Sequence, residues 1–423
     1  MDLNAKLDFS VVAVDRGETV NLLLEIAAPG LKGERRRDPA RLQVVLDRSG
    51  SMSRGQLATA LQAIDRLIGR LHADDVFGLV AFDHEVAIPI PSGPVGDGTR
   101  IRHALHLLEP HGGTNLGGGL LRGIQECGRT SDGTATTLVL LSDGHANNGV
   151  TDHDQLATFA AGGTKENITT STIGIGLGYD EDLLEAISRG GSGNSHFAET
   201  GDEAGAELAG EVDGLLEQVA QATSLTVRPS DSVSQVRLFN DLSISEIGDG
   251  FMVELGELVA DENRKLLFEI DVPDIATLGP ARVCEIELRW VDTETMESKL
   301  ARIPVNVNVV PGDQAAGRVR DNEVETELTF QQVQHDKRLA SEDLQRGDVR
   351  LAQQRMAGST RRLRGSDRSR MSQGNITDIE SEERWLAERM AEAERNPNMT
   401  SKRLKSDFNQ KNRRRGRKSS GED

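Results

Sequence analysis

From Ala40 to Val219 short apolar runs alternate with segments whose apolar residues recur at helical spacing, and no other feature constrains the fold as much. The runs fall at 42–46, 76–82, 85–90, 137–141, 170–175 and 196–198. Helical segments lie near 54–71, 99–108, 116–128, 152–160, 181–189 and 202–219. Alternation on this scale predicts an α/β unit, a doubly wound and mostly parallel sheet with helices on both faces. The first helix is the clearest, because Leu57, Ala60, Leu61, Ile64, Leu67, Ile68 and Leu71 form one stripe. Ser53 with Gln56 reads as a capping box at its start. In open sheets of this kind ligands sit beyond the carboxyl ends of the strands, so the loops there are the place to look for chemistry.

Three of those loops carry oxygen-bearing side chains. Asp47-Arg48-Ser49-Gly50-Ser51-Met52 follows the first run, Gly112-Gly113-Thr114-Asn115-Leu116 opens a helix, and Ser142-Asp143-Gly144 ends the fourth run. A hard divalent cation needs oxygen ligands, which a carboxylate and two hydroxyls at i, i+2 and i+4 of a tight turn can supply. Taken singly, each of these residues is as well explained as a helix cap or a turn-forming side chain. Five together, each after the expected strand, favour a metal site.

With those pieces in place, the segment resembles a von Willebrand factor type A domain, and the three loops match its metal-ion-dependent adhesion site. Asn147 and the stretch Thr172-Ile173-Gly174-Ile175-Gly176 support the match. The resemblance implies Mg²⁺ or Mn²⁺ held by Ser49, Ser51 and Thr114, with Asp47 and Asp143 acting directly or through water. It also implies an open position able to take a carboxylate from a partner protein. Similar bacterial proteins join such a domain to a β-sandwich and a helical tail. Family members often work beside chaperone-like ATPases, kinases or phosphatases.

Around this unit, assigned to residues 37–219, the pattern changes. Residues 1–36 predict strands at 6–14 and 19–26 joined by Asp15-Arg16-Gly17-Glu18, then a linker over 30–39 with the cluster Glu34-Arg35-Arg36-Arg37. Residues 220–311 show strand patterns without a helix, which predicts an all-β sandwich completed by the amino-terminal strands. The α/β unit would then be an insertion, as neighbouring chain ends allow. Residues 312–396 read as helices at 323–345, 349–363 and 379–394, the last capped by Thr377 and Glu380, with a mobile stretch over 365–375. Arg346-Gly347-Asp348 is expected to be an ordinary turn. Residues 397–423 read as a disordered basic tail.

Composition narrows the function. The chain of 423 residues carries a net charge of −19, but from Asn398 onward nine Lys/Arg face three Asp/Glu. That tail is therefore +6 and the remainder −25. An acidic body disfavours binding to nucleic acid or an anionic membrane, whereas the tail could meet acidic surfaces without specificity. Cys127 and Cys284 read as buried, unpaired thiols. The residues Met1-Asp2-Leu3-Asn4 do not resemble a secretory leader, and no apolar run approaches the ~18 residues of a membrane helix, so a cytoplasmic location is expected. His84, His111, His145, His153 and His196 show no zinc-ligand spacing and are expected to be exposed or packed. These readings favour a non-enzymatic scaffold or regulator that binds partners presenting an acidic side chain. The competing reading is a metal-dependent hydrolase or phosphotransferase, for which only His111 and His145 are near enough to serve as a base.

Overall fold

The computed structural model describes the chain except residues 15, 32–38, 130–133, 232, 414 and 416–423. The Asp15 turn, the charge cluster of the linker and the end of the basic tail lie outside the described residues.

The first three strands are β1 (Asp2–Leu7), β2 (Val11–Ala13) and β3 (Glu18–Ala27). The α/β unit follows as β4 (Arg41–Asp47), α1 (Gln56–Ile68), β5 (Val76–Phe82), β6 (Val86–Pro94), α2 (Thr99–Leu105), α3 (Leu116–Arg129), β7 (Thr136–Ser142), α4 (His153–Thr164), β8 (Ile168–Ile175), α5 (Glu181–Gly190), β9 (Ser192–Ala198) and α6 (Gly201–Leu216). Its sheet runs β6-β5-β4-β7-β8-β9, parallel throughout except for the edge strand β6. Successive side chains of a strand point to opposite faces. Val44, Leu46, Val139 and Leu141 accordingly pack with α1, α2 and α6, whereas Val45, Leu138 and Leu140 pack with α3, α4 and α5. The doubly wound reading is therefore correct for this unit.

Helix α3 shows how the glycine-rich sequence serves this packing. A Cβ at Gly119 would come within 2.5 Å of the Phe82 ring, and one at Gly123 within 2.4 Å of Val45. Each glycine costs about 1 kcal/mol of helix propensity. The close approach of helix and sheet that they permit sets the height of the loop preceding α3, which carries Thr114.

The remaining strands are β10 (Gln218–Pro229), β11 (Gln235–Leu238), β12 (Ile244–Ile247), β13 (Gly250–Val259), β14 (Asn263–Val272), β15 (Gly279–Asp292) and β16 (Ser298–Val310). They form a four-stranded sheet, β1-β3-β14-β11, and a six-stranded sheet, β12-β13-β10-β15-β16-β2. Leu22, Leu24, Leu266 and Phe268 of the first join Val227, Val253, Ile286 and Leu288 of the second in one hydrophobic cluster. The stretch expected as one strand over 6–14 is broken. Its first part pairs with β3, and its second crosses to the other sheet to pair with β16.

Helices complete the chain: the short α7 (Gly312–Ala315), α8 (Asn322–Gln345), α9 (Val349–Arg364), α10 (Gln373–Ala393) and α11 (Pro397–Arg413). The Arg346-Gly347-Asp348 turn is ordinary; Gly347 takes φ +83°, and Asp348 caps α9 by accepting from the Leu351 N–H at 3.0 Å. Three local expectations need correction. Gly55, in the left-handed region, precedes α1 with no side-chain cap, so Ser53 caps nothing there. Helix α10 starts six residues earlier than the expected 379, capped by Ser372, and Thr377 instead donates to the Gln373 carbonyl from within the helix. The stretch 365–375 contains a short 3₁₀ turn, Arg368–Arg370, held by Arg368 pairing with Glu380 and Glu383.

The largest correction concerns the basic tail. Pro397–Arg413 is a helix, with Met399, Leu404 and Phe408 buried. Six of the tail's described cations pair with acids from the rest of the chain, Lys411 with Glu382 (2.8 Å) and five with acids farther away in sequence. Lys402 pairs with Glu181 (3.3 Å), Arg403 with Glu199 (2.7 Å), Lys405 with Glu185 (2.8 Å), Arg413 with Asp241 (3.2 Å) and Arg415 with Glu327 (3.1 Å). A composition-based reading of disorder misses this because these five acids lie far away in sequence, the nearest of them 88 residues from its partner.

Candidate metal centre

Parallel pairing brings the carboxyl ends of β5, β4 and β7 to one edge of the sheet, with Asp47 level with Phe82 and Leu46 level with Leu141. Asp47 is the last residue of β4, and Asp143 follows the last residue of β7. Ser49 and Ser51 stand in the turn after β4, and their hydroxyls are 3.0 Å apart. The Ser51 hydroxyl donates to Asp143 Oδ1 at 2.7 Å, and the Ser49 N–H donates to Asp47 Oδ1 at 2.8 Å. The Gly50 N–H donates to the Gly112 carbonyl (3.1 Å), joining the first loop to the second. Asn147 joins the second to the third: its Oδ1 accepts from the Thr114 N–H (2.9 Å), and its own N–H donates to the Thr114 carbonyl (3.1 Å).

All five expected site residues therefore meet. Gly144 marks the point of convergence, since a Cβ there would lie 3.5 Å from Ser51 Oγ, 3.6 Å from Thr114 Oγ1 and 4.0 Å from Asp47 Oδ2. Two further residues belong to the group. The Ser142 hydroxyl donates to Asp47 Oδ2 at 2.6 Å. The Gln56 amide, with its nitrogen facing the site, donates to Asp143 Oδ2 (2.8 Å) and to the Ser51 carbonyl (3.1 Å). Ser142 carried the signal of adjacency to Asp143. Gln56 carried none, because the capping-box reading had assigned it elsewhere.

The electrostatics suit a cation. Burial pushes the Asp47 carboxyl up to about 6, against the lowering effect of hydrogen bonds from Ser142 and Ser49, and the neighbouring Asp143 adds to the rise. Burial also raises Asp143, against the Ser51 hydrogen bond. Among the described residues neither carboxylate is paired with Lys or Arg; hydroxyls and N–H groups are their partners. Two buried acids without a fixed counter-charge, ringed by three hydroxyls, form a donor set of hard oxygens that fits a small divalent ion.

The chain belongs to the von Willebrand factor type A domain family, and residues 42–210 match that family's domain model. It is 30% identical over 285 residues to the uncharacterized protein sll0103 of Synechocystis sp., an alignment covering 65% of this chain and 67% of that protein. It is 24% identical over 312 residues to the uncharacterized protein YfbK of Escherichia coli, covering 68% of this chain and 54% of that one. The chain thus spans about two thirds of the first relative and about half of the second. A von Willebrand factor type A structure from Catenulispora acidiphila shares the fold with a TM-score of 0.71 at 16% identity, covering 86% of this chain and 87% of that one.

Proposed function

We propose that this chain is a cytoplasmic scaffold or regulatory protein that captures partner proteins through Mg²⁺ or Mn²⁺ held by Asp47, Ser49, Ser51, Thr114 and Asp143. The observation that carries the reading is the convergence of these five side chains near Gly144, with two buried carboxylates that have no Lys or Arg partner among the described residues. A bound divalent ion would supply an electrophilic position for a carboxylate of the partner.

The chain's own residues do the rest. Asp47 lies below the hydroxyls, fully buried and fixed by Ser142 and the Ser49 N–H. Ser49 and Ser51 share one turn after β4, which holds their hydroxyls 3.0 Å apart. Asn147 fixes Thr114 relative to Asp143. We further propose that the two mainly antiparallel sheets act as one β-sandwich with the α/β unit inserted between β3 and β10, as their shared core favours. The family resemblance makes ATPase, kinase or phosphatase components the first candidates for the partner.

Affinity capture with and without Mg²⁺, followed by mass spectrometry, tests the reading. Partners retained in Mg²⁺ and lost both in EDTA and with Ser49→Ala/Ser51→Ala are the expected result. Capture indifferent to both treatments overturns it, and turnover of a phosphoester or peptide that requires Asp47 would replace it with the hydrolase reading.

A further inference from the structure

We propose that the strand next to the oxygen-rich loops carries a second, chemically distinct metal site, built from Asp83, His84 and His111 and suited to Zn²⁺ or a similar borderline divalent ion. The parallel register that places Asp47 at the end of β4 places Asp83 just beyond Phe82, the end of the neighbouring strand β5. The ligand atoms of Asp83, His84 and His111 all lie within 4.8 Å of one another. His84 Nδ1 is 3.0 Å from Asp83 Oδ1, and the two imidazole centroids are 5.4 Å apart.

The local structure holds these groups in place. Asp83 Oδ1 accepts from the Glu85 N–H at 2.7 Å, closing a turn that presents His84. The Arg48 guanidinium contacts Asp83 Oδ2 at 2.8 Å and anchors a carboxylate that is itself buried. Outer partners of this kind fix the orientation of a ligating carboxylate. The His111 N–H donates to the Arg48 carbonyl at 2.7 Å, so the same residue positions both ends of the cluster. Gly112 takes φ +66°, and a Cβ there would come within 2.2 Å of His84 Nδ1, so the glycine leaves the room that the imidazole occupies. Both histidines are exposed, free to turn their rings the short distance needed to reach ligand bonds of about 2.0–2.1 Å.

Donor chemistry separates the two sites. Two imidazole nitrogens and one carboxylate suit zinc, cobalt, nickel or copper, whereas an all-oxygen set suits Mg²⁺ or Mn²⁺. Three protein ligands leave a position open for a partner's side chain or a water. The proposal stands whether or not the oxygen-rich loops bind an ion.

Zn²⁺ binding is measured by competition with a chromophoric chelator in excess Mg²⁺. The comparison uses the wild-type chain, His84→Ala/His111→Ala, and Ser51→Ala/Asp143→Ala. The expected result is one Zn²⁺ per chain retained by the wild type and by Ser51→Ala/Asp143→Ala, and lost from His84→Ala/His111→Ala. Because both histidines are exposed, His84→Ala/His111→Ala is expected to leave the circular dichroism spectrum unchanged. Absence of Zn²⁺ binding by the wild type, or unchanged binding by His84→Ala/His111→Ala, overturns the proposal. Co²⁺ gives a second readout, since its visible d–d bands should change on loss of the two imidazoles and stay unchanged in Ser51→Ala/Asp143→Ala.

Discussion

Two of the buried carboxylates, Glu382 in the helical region and Asp47 at the sheet edge, are treated in opposite ways. In the helical region Glu382, nearly inaccessible, meets Lys337 and Lys411, and Asp407 closes the group from α11. The Trp385 ring lies 4.4 Å from the Lys337 ammonium. Burial alone would raise Glu382, but Lys337 and Lys411 hold it well below the usual range. At the sheet edge Asp47 is equally buried, and burial raises it to about 6, since among the described residues its partners are hydroxyls and N–H groups and none carries a full positive charge. Glu382 is held by fixed cations and serves the helical packing, whereas Asp47 has none among the described residues, which is the property that the proposed metal centre requires.

The contrast can be broken most strongly at Lys337. Lys337→Met leaves Glu382 and Asp407 short of a partner in the interior, and an uncompensated buried charge costs about 3–5 kcal/mol. Chemical denaturation should show that loss, with the response to Mg²⁺ intact. A stability within about 1 kcal/mol of wild type, roughly the worth of an exposed pair, would mean the network contributes no more than a surface one.

Next in size is the ion's own contribution. A ligand that binds only the native state at about 100 times its Kd stabilises by roughly 2.7 kcal/mol. Mg²⁺ should therefore raise the melting temperature of the wild type and leave that of Asp143→Ala unchanged.

Asp47→Asn sharpens the comparison because its sign is opposite to that of a paired acid. Asp47 stands at about 6 against an ordinary 3.8. A carboxyl raised on folding contributes stability that is full below the unfolded value and is lost as pH rises through the folded one. At pH near 7 and without metal, Asp47→Asn should stabilise by about 1–3 kcal/mol, because each tenfold change in a protonation equilibrium is worth about 1.36 kcal/mol. Glu382→Gln should destabilise under the same conditions. With metal present the proton competes with the ion, so the Mg²⁺ gain should shrink as pH falls through about 6. A flat response from neutral pH down to about one pH unit below that value would remove Asp47 from the ligand set.

The smallest expected effect lies on the outer face of α11. Arg403 and Glu199 pair at 2.7 Å but remain about a third exposed. Exposed pairs contribute about 0–1 kcal/mol, and Arg403→Ala should stay within that range in the same denaturation assay.

Several features are legible in the amino-acid sequence alone. The short apolar runs and period-3.6 segments of 40–219 specify the doubly wound sheet, because each central strand must bury both faces and each helix one. Asp47, Ser49, Ser51, Thr114 and Asp143 were legible as well, since strand ends in such a sheet share one edge and the residue types point to one chemistry. Caps were less so: Ser53 and Thr377 have the right letters at the wrong turn, because a cap depends on where the chain enters the helix.

What only the tertiary structure decided is which charges face each other. Lys402, Lys405, Arg413 and Arg415 read locally as part of a solvated tail, yet each acquires an acid from an element far along the chain. Gln56 and Ser142 join the candidate metal centre, and Asp83, His84 and His111 come together, only through strand register and loop docking. Hydrophobic periodicity is a local property that a sequence displays directly. Charge pairing is a matter of a few ångströms between distant residues, and folding alone sets those distances.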